Sequence, residues 1–286
     1  TIDEQLEQLK SIMDSSSYSA FQSRMILNSV QDLLESGISF EDAKEIIENS
    51  VEESFDAYSV KKVFEVILET QQEGLPTEPL INKVNEGFAK NANKSVIISV
   101  ISTKAENLKK ANEILNEALQ EGLEINGEEE MLKILADSLE NDVPQESLSW
   151  LVKTGTTEGK SIEEITEISE ELSYLSLMAY DSGLSPEEIS LLFKKAIESS
   201  NNIEEICENI QISLDAEIST AKIETGGTAK PSTTTDNGTL TTSSTGSPAE
   251  VGETPTQEAG EAPTEDGSTP EPSTPPAEET PSPPEN

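Results

Sequence analysis

A short punctuation cassette returns along this chain and constrains its fold more than any other feature. A glycine or asparagine ends a helical stretch, an apolar residue follows, and then come Ser or Pro, acids and a new apolar run. It stands as Gly37-Ile38-Ser39-Phe40-Glu41-Asp42, as Gly74-Leu75-Pro76-Thr77-Glu78-Pro79 and as Gly183-Leu184-Ser185-Pro186-Glu187-Glu188. Looser copies are Asp142-Val143-Pro144-Gln145-Glu146 and Lys160-Ser161-Ile162-Glu163-Glu164. Each part has a physical reason. Gly183 suits the left-handed position that closes a helix. Ser185 can cap the next helix, Pro186 is tolerated in its first turn, and Glu188 completes a capping box. Ser39 with Asp42 and Ser161 with Glu164 imitate this start, and the acids suit the positive end of the helix dipole.

Stops and starts separated by about three residues force consecutive helices into hairpins. Apolar periodicity places helices near 2–14, 19–36, 40–56, 59–73, 77–91 and 95–120, and then near 128–140, 145–154, 161–181, 186–199 and 202–221. The run Val96-Ile97-Ile98-Ser99-Val100-Ile101 has β propensity, but it is short and flanked by helical pattern, so it reads as a buried helix. The cassette residues Ile38, Leu75, Leu123, Ile162 and Leu184 are separated by 37, 48, 39 and 22 positions. The first three gaps fit a helix pair each and the last a single helix. The expected fold is therefore all-α: an irregular α-solenoid or multi-helix array of short-looped hairpins, without the tetratricopeptide residue pattern.

Composition divides the chain near residue 224. Four prolines precede that point and eleven follow it, and past Ile223 the only large aliphatic residues are Leu240 and Val251. Residues 1–224 are expected to form the acidic helical domain. Residues 225–286, rich in Thr, Ser, Pro and Glu, bury too little apolar surface to offset ordering entropy and are expected to be disordered. Such a segment fits an extracellular stalk, either O-glycosylated or an unmodified spacer.

The formal charge is −39, with 46 of the 57 acids being glutamate. Glutamate forms helices well, so much of this charge is the filling of exposed helix faces. The field repels nucleic acid and anionic membrane surfaces. Basic proteins, cationic polymers and, weakly, divalent cations are left as partners. The chain has no histidine and one cysteine, Cys207. That removes the commonest base and metal ligand together and disfavours serine, cysteine and zinc hydrolase mechanisms. Cys207 lies near an apolar helix face and reads as a buried structural thiol; Trp150 reads as a core anchor.

Paired carboxylates at Glu128-Glu129-Glu130, Glu163-Glu164 and Glu187-Glu188 fall at helix starts, where dipole complementarity explains them. Glu53-Ser54 matches the catalytic dipeptide of lytic transglycosylases, but without the aromatic surroundings of a sugar cleft. No alternating Asp/Asn calcium loop and no Gly-rich phosphate loop is present.

The segment from Gly74 to Lys90, with Pro76, Pro79-Leu80, Lys83 and Glu86-Gly87-Phe88-Ala89-Lys90, resembles a stretch of bacterial envelope proteins with helical repeats. The resemblance covers about seventeen residues and implies an exported helical protein, with no activity or site residues attached. Physically, Pro76 and Pro79 start a helix, Leu80, Val84 and Phe88 line one face, and Gly87 allows close helix approach.

Thr1 at the start reads as the product of signal-peptide removal, and no window is apolar enough to span a membrane. The expected function is non-catalytic binding or scaffolding in the periplasm, cell envelope or secreted space, with a protein partner. The alternatives are an envelope enzyme acting on glycan through carboxylates, and a salt-adapted or cation-binding acidic protein. No catalytic, cofactor-binding or metal-ligating residue is singled out.

Overall fold

The computed structural model describes the backbone of residues 1–226 and the side chains of residues 1–220. The tail expected to be disordered lies, from residue 227 onward, outside the described residues. Eleven α-helices and no strand stand among the described residues. They are α1 (Ile2–Asp14), α2 (Ala20–Glu35), α3 (Phe40–Glu52), α4 (Ala57–Gln72), α5 (Glu78–Ala89) and α6 (Lys94–Gln120), then α7 (Glu128–Glu140), α8 (Gln145–Thr157), α9 (Ile162–Asp181), α10 (Pro186–Ser199) and α11 (Glu205–Gly226).

One hydrogen-bond pattern stops most of them. The N–H of the third residue past the helix donates to a carbonyl five residues back: Ile38 to Leu33 at 3.1 Å, Phe55 to Ser50 at 2.8 Å, Leu75 to Thr70 at 3.1 Å and Leu184 to Ala179 at 3.2 Å. Ala92, Leu123, Val143 and Lys160 repeat it. The preceding residue is left-handed in every case, which glycine supplies at five positions and Ser54, Asn91 and Asp142 at the other three. This is the Schellman closure, which satisfies carbonyls that the helix end leaves orphaned. The next residue then folds back into the core, as buried Ile38, Phe55, Leu75 and Val143 do.

Most starts carry a side-chain cap, though α5, α7 and α8 do without one. Ser19 with Gln22, Ser161 with Glu164 and Ser185 with Glu188 form reciprocal capping boxes. Ser39 only half imitates them. Its Oγ accepts from the Asp42 N–H at 3.1 Å and donates to the Asp42 carboxylate at 2.7 Å. Aspartate is one methylene shorter than glutamate, and its carboxylate ends on the serine hydroxyl and not on the backbone N–H of Ser39.

Short connections lay each helix against its chain neighbour and against the next but one. The odd helices make one layer, with α1 on α3, α3 on α5, α7 on α9 and α9 on α11; the even helices α2, α4, α6, α8 and α10 run in series as the other. Such stacking lets each helix pair bury a face it cannot bury alone. The irregularity lies at α6, whose 27 residues contact α4, α5, α7 and α8 together. Its length accounts for the 48-residue gap. There α5 and α7 are joined by ion pairs, Lys83 to Glu140 at 3.5 Å and Lys133 to Glu78 at 2.7 Å.

The core between the layers is aliphatic, with Phe64 and Phe193 its largest fully buried side chains. Each buried Leu or Ile contributes roughly 1.5–3 kcal/mol, so a chain with few aromatics holds together through many such residues. Two expectations need correction. Residues 96–101 are helical but only half buried: Ile97 and Ile101 face the core, whereas Val96 is 50% exposed and Val100 also faces outward. An amphipathic helix needs only one apolar face, and the β-branched run supplies two. Helix α3 ends at Glu52 and not at 56, because Ser54 turns left-handed and Asp56 caps α4, accepting from the Ser59 N–H at 3.0 Å.

Candidate binding groove

Helices α6, α8 and α10 of the even layer border a groove of about 1060 Å³. Local sequence sets its walls. Pro144 and Pro186 start α8 and α10, and together with Ile114 of α6 they give the groove its apolar surface. Glu113 and Glu117 lie one turn apart on α6, and Glu146 lies in the first turn of α8. Asp142 lines the groove while serving as the left-handed terminator of α7, at φ 59°.

The groove is anionic. Ser149 Oγ donates to Glu117 at 3.1 Å and Lys153 lies 3.3 Å from it. The Ser149 hydrogen bond and then Lys153 hold the Glu117 carboxyl below its usual range. Lys153 also pairs with Glu121 at 2.8 Å, so the one lysine lining the groove is already engaged. Glu113, Asp142 and Glu146 have no cationic partner within ion-pair distance among the described residues. Such a surface attracts lysine or arginine side chains, and the prolines and Ile114 offer contact to their aliphatic stems.

Carboxylates that depart clearly from ordinary values do so downward. Hydrogen bonding to Lys94 draws Asp56 to about 2, and Lys133 lowers Glu78. Glu140 is lowered as well: its burial is the largest single effect and opposes ionisation, but hydrogen bonds and charge from Lys104 and Lys83 together outweigh it. General-acid work requires the opposite shift. Among the described residues no group of three or more carboxylate or thiol side chains is arranged to hold a metal ion. Likewise, no described helix is long and apolar enough to cross a membrane.

The residues weighed from sequence take these positions. Glu53 and Ser54 are the C-cap and left-handed terminator of α3. Glu128 to Glu130 occupy the first turn of α7, Glu163 and Glu164 that of α9, and Glu187 and Glu188 that of α10. Cys207 is buried, and burial, reinforced by Glu171, pushes its thiol up to about 12. Trp150 is half-buried against the core. In the Gly74 to Lys90 segment Leu80, Val84 and Phe88 are all buried, and a β-carbon on Gly87 would lie 2.5 Å from Ile97 Cγ1, so the close approach is real. The groove itself was not singled out from sequence. Its signal was the i, i+4 pair Glu113 and Glu117, of which Glu117 meets Ser149 from 32 residues away and also Lys153, a pairing that only the helix stacking reveals.

No family model matches the chain, and no curated protein matches it. Among solved structures a de novo designed helical repeat protein aligns at 15% identity, over 77% of this chain and 98% of that one, with a TM-score of 0.20. The helical-repeat description rests on the helix contacts of this chain.

Proposed function

We propose that the protein is a non-catalytic helical-repeat binding or scaffolding protein that holds a basic polypeptide segment in the groove between α6, α8 and α10, in the cell envelope or secreted space. The observation that carries this reading is a groove whose carboxylates outnumber its cations, with the single lysine already paired. The exported setting is supported by the Gly74 to Lys90 resemblance and by the stalk-like composition of the tail. Downward-shifted carboxylates favour ion pairing over proton transfer.

Fluorescence anisotropy with a labelled Lys/Arg-rich peptide tests it. Binding should weaken steeply with added salt, and the combined Glu113→Gln, Asp142→Asn and Glu146→Gln variant should lose about tenfold or more in affinity. Equal affinity for that variant would exclude the groove as the site. The exported setting is tested separately by fractionating cells that express the protein from its complete natural gene.

A further inference from the structure

A second surface lies on the opposite layer, along the outward side of α9. Exposed residues there follow one stripe at alternating spacings of three and four: Glu163, Glu167, Glu170, Tyr174, Leu177 and, a turn on, Tyr180. That is the spacing by which one helix meets another along a seam. The stripe changes character halfway. Its first half is carboxylate, and its second half leaves Tyr174 at 62%, Leu177 at 44% and Tyr180 at 58% exposure. Beside the apolar half a cavity of about 350 Å³ opens between α7 and α9, walled by Ile134, Tyr174 and Leu177. Its floor is closed by hydroxyls bonded to one another, with Ser173 donating to Ser138 at 3.3 Å and Ser138 paired with Ser169. It has room for one large apolar side chain.

The geometry points to this stripe as the docking seam for a basic amphipathic helix of another protein, with apolar residues over Tyr174, Leu177 and Tyr180 and lysine or arginine over Glu163, Glu167 and Glu170. Charge decides among occupants. Lysines of this chain clip carboxylates on neighbouring helices elsewhere, but none lies within ion-pair distance of these three glutamates among the described residues. A second copy laid antiparallel would press these carboxylates onto the apolar half, and laid parallel it would set glutamate against glutamate. Both carry a large desolvation or repulsion cost. A helix with basic residues on the matching half satisfies both halves together.

The test uses the full chain and a labelled 20-residue synthetic helix with leucines at three-four spacing in one half and lysines on the same stripe in the other. Binding is expected to fall about tenfold for Tyr174→Ser with Leu177→Ser, the cost of removing a seam anchor. The Glu163→Gln, Glu167→Gln and Glu170→Gln variant should flatten the salt dependence. The groove variant Glu113→Gln, Asp142→Asn, Glu146→Gln should bind this peptide normally, so the two surfaces fail independently. Exposed positions are used so that folding survives, and circular dichroism verifies it. Equal binding of a scrambled peptide of the same charge would overturn the seam. So would a dimer in sedimentation that Leu177→Ser dissolves, or an affinity that the Tyr174→Ser, Leu177→Ser change leaves intact.

Discussion

Gly87 shows how one missing side chain sets a helix interface. Alanine in its place would favour the helix by about 1 kcal/mol. Its β-carbon, however, would meet Ile97 Cγ1 at 2.5 Å, on a side chain that is itself buried. Overpacking of this kind costs about 1–3 kcal/mol, so the clash wins. Gly87→Ala should be destabilising in urea titration by up to about 2 kcal/mol, and Ile97→Ala should couple to it, leaving the double variant less destabilised than the sum. Cys207 makes a second residue-scale case. With its thiol buried and pushed up to about 12, almost no thiolate exists at neutral pH. A disulfide reagent should leave the native protein unlabelled and label it stoichiometrically in denaturant; rapid labelling of native protein would contradict the burial.

At the scale of elements, the terminators divide by the ease with which they turn left-handed. Ser54, Asn91 and Asp142 hold the conformation that glycine holds elsewhere, with φ of 55°, 52° and 59°. A non-glycine residue there is strained by about 1–2 kcal/mol, partly offset by the greater entropy glycine loses on folding. Ser54→Gly should therefore stabilise the protein by about 0.5–1 kcal/mol, visible as a higher urea midpoint at unchanged slope, and Gly183→Ala should destabilise it by a similar amount. The same terminators explain what was legible in advance. Eleven helices were readable because glycine, serine and proline act locally, on residues one to five positions away. The 37, 48, 39 and 22 spacing followed from them and matches the helix pairs seen. What escaped was long-range. Glu117 meets Ser149 and Lys153 at the groove only after α6 and α8 stack, and Lys104 is buried to 4% side-chain exposure between Asp137 and Glu140 only once α6 and α7 pack. The half-buried character of residues 96–101 was hidden for a related reason: outward Val96 and Val100 are as apolar as inward Ile97 and Ile101, and Ser99 alone marks the exposed side.

Taken as a whole molecule, the helical array is a repulsive object clipped together by scarce cations. Residues 1–224 carry 46 acids against 17 bases. Lys83, Lys94, Lys104, Lys109, Lys133, Lys153 and Lys160 each bridge separate segments of the fold. The two effects respond oppositely to acid. Neutralising exposed carboxylates relieves repulsion. Clipped carboxylates hold on: Asp56, drawn by Lys94 from an ordinary 3.8 to about 2, contributes stability that is present above 3.8 and lost as pH falls through about 2. Glu140, lowered from 4.5, loses its contribution in the same direction, below 4.5. Lys104 runs the other way. Burial, the largest single effect, pulls its pKa down, hydrogen bonds and charge from Asp137 and Glu140 together outweigh that, and the net rise keeps its contribution intact until pH climbs past 10.5. Thermal melting followed by circular dichroism should therefore show Tm rising as pH falls from about 7 to about 5, then dropping steeply towards pH 2. At pH 7 about 0.5 M NaCl should raise Tm, because screening weakens long-range repulsion between exposed charges more than close, partly buried pairs. Lys104→Met should lower Tm at pH 7 and shallow the acid limb, since Glu140 then has less reason to stay ionised. A Tm that falls steadily from pH 7 downward, or that salt depresses, would mean that the clips, and not the repulsion, set the stability of this array at neutral pH.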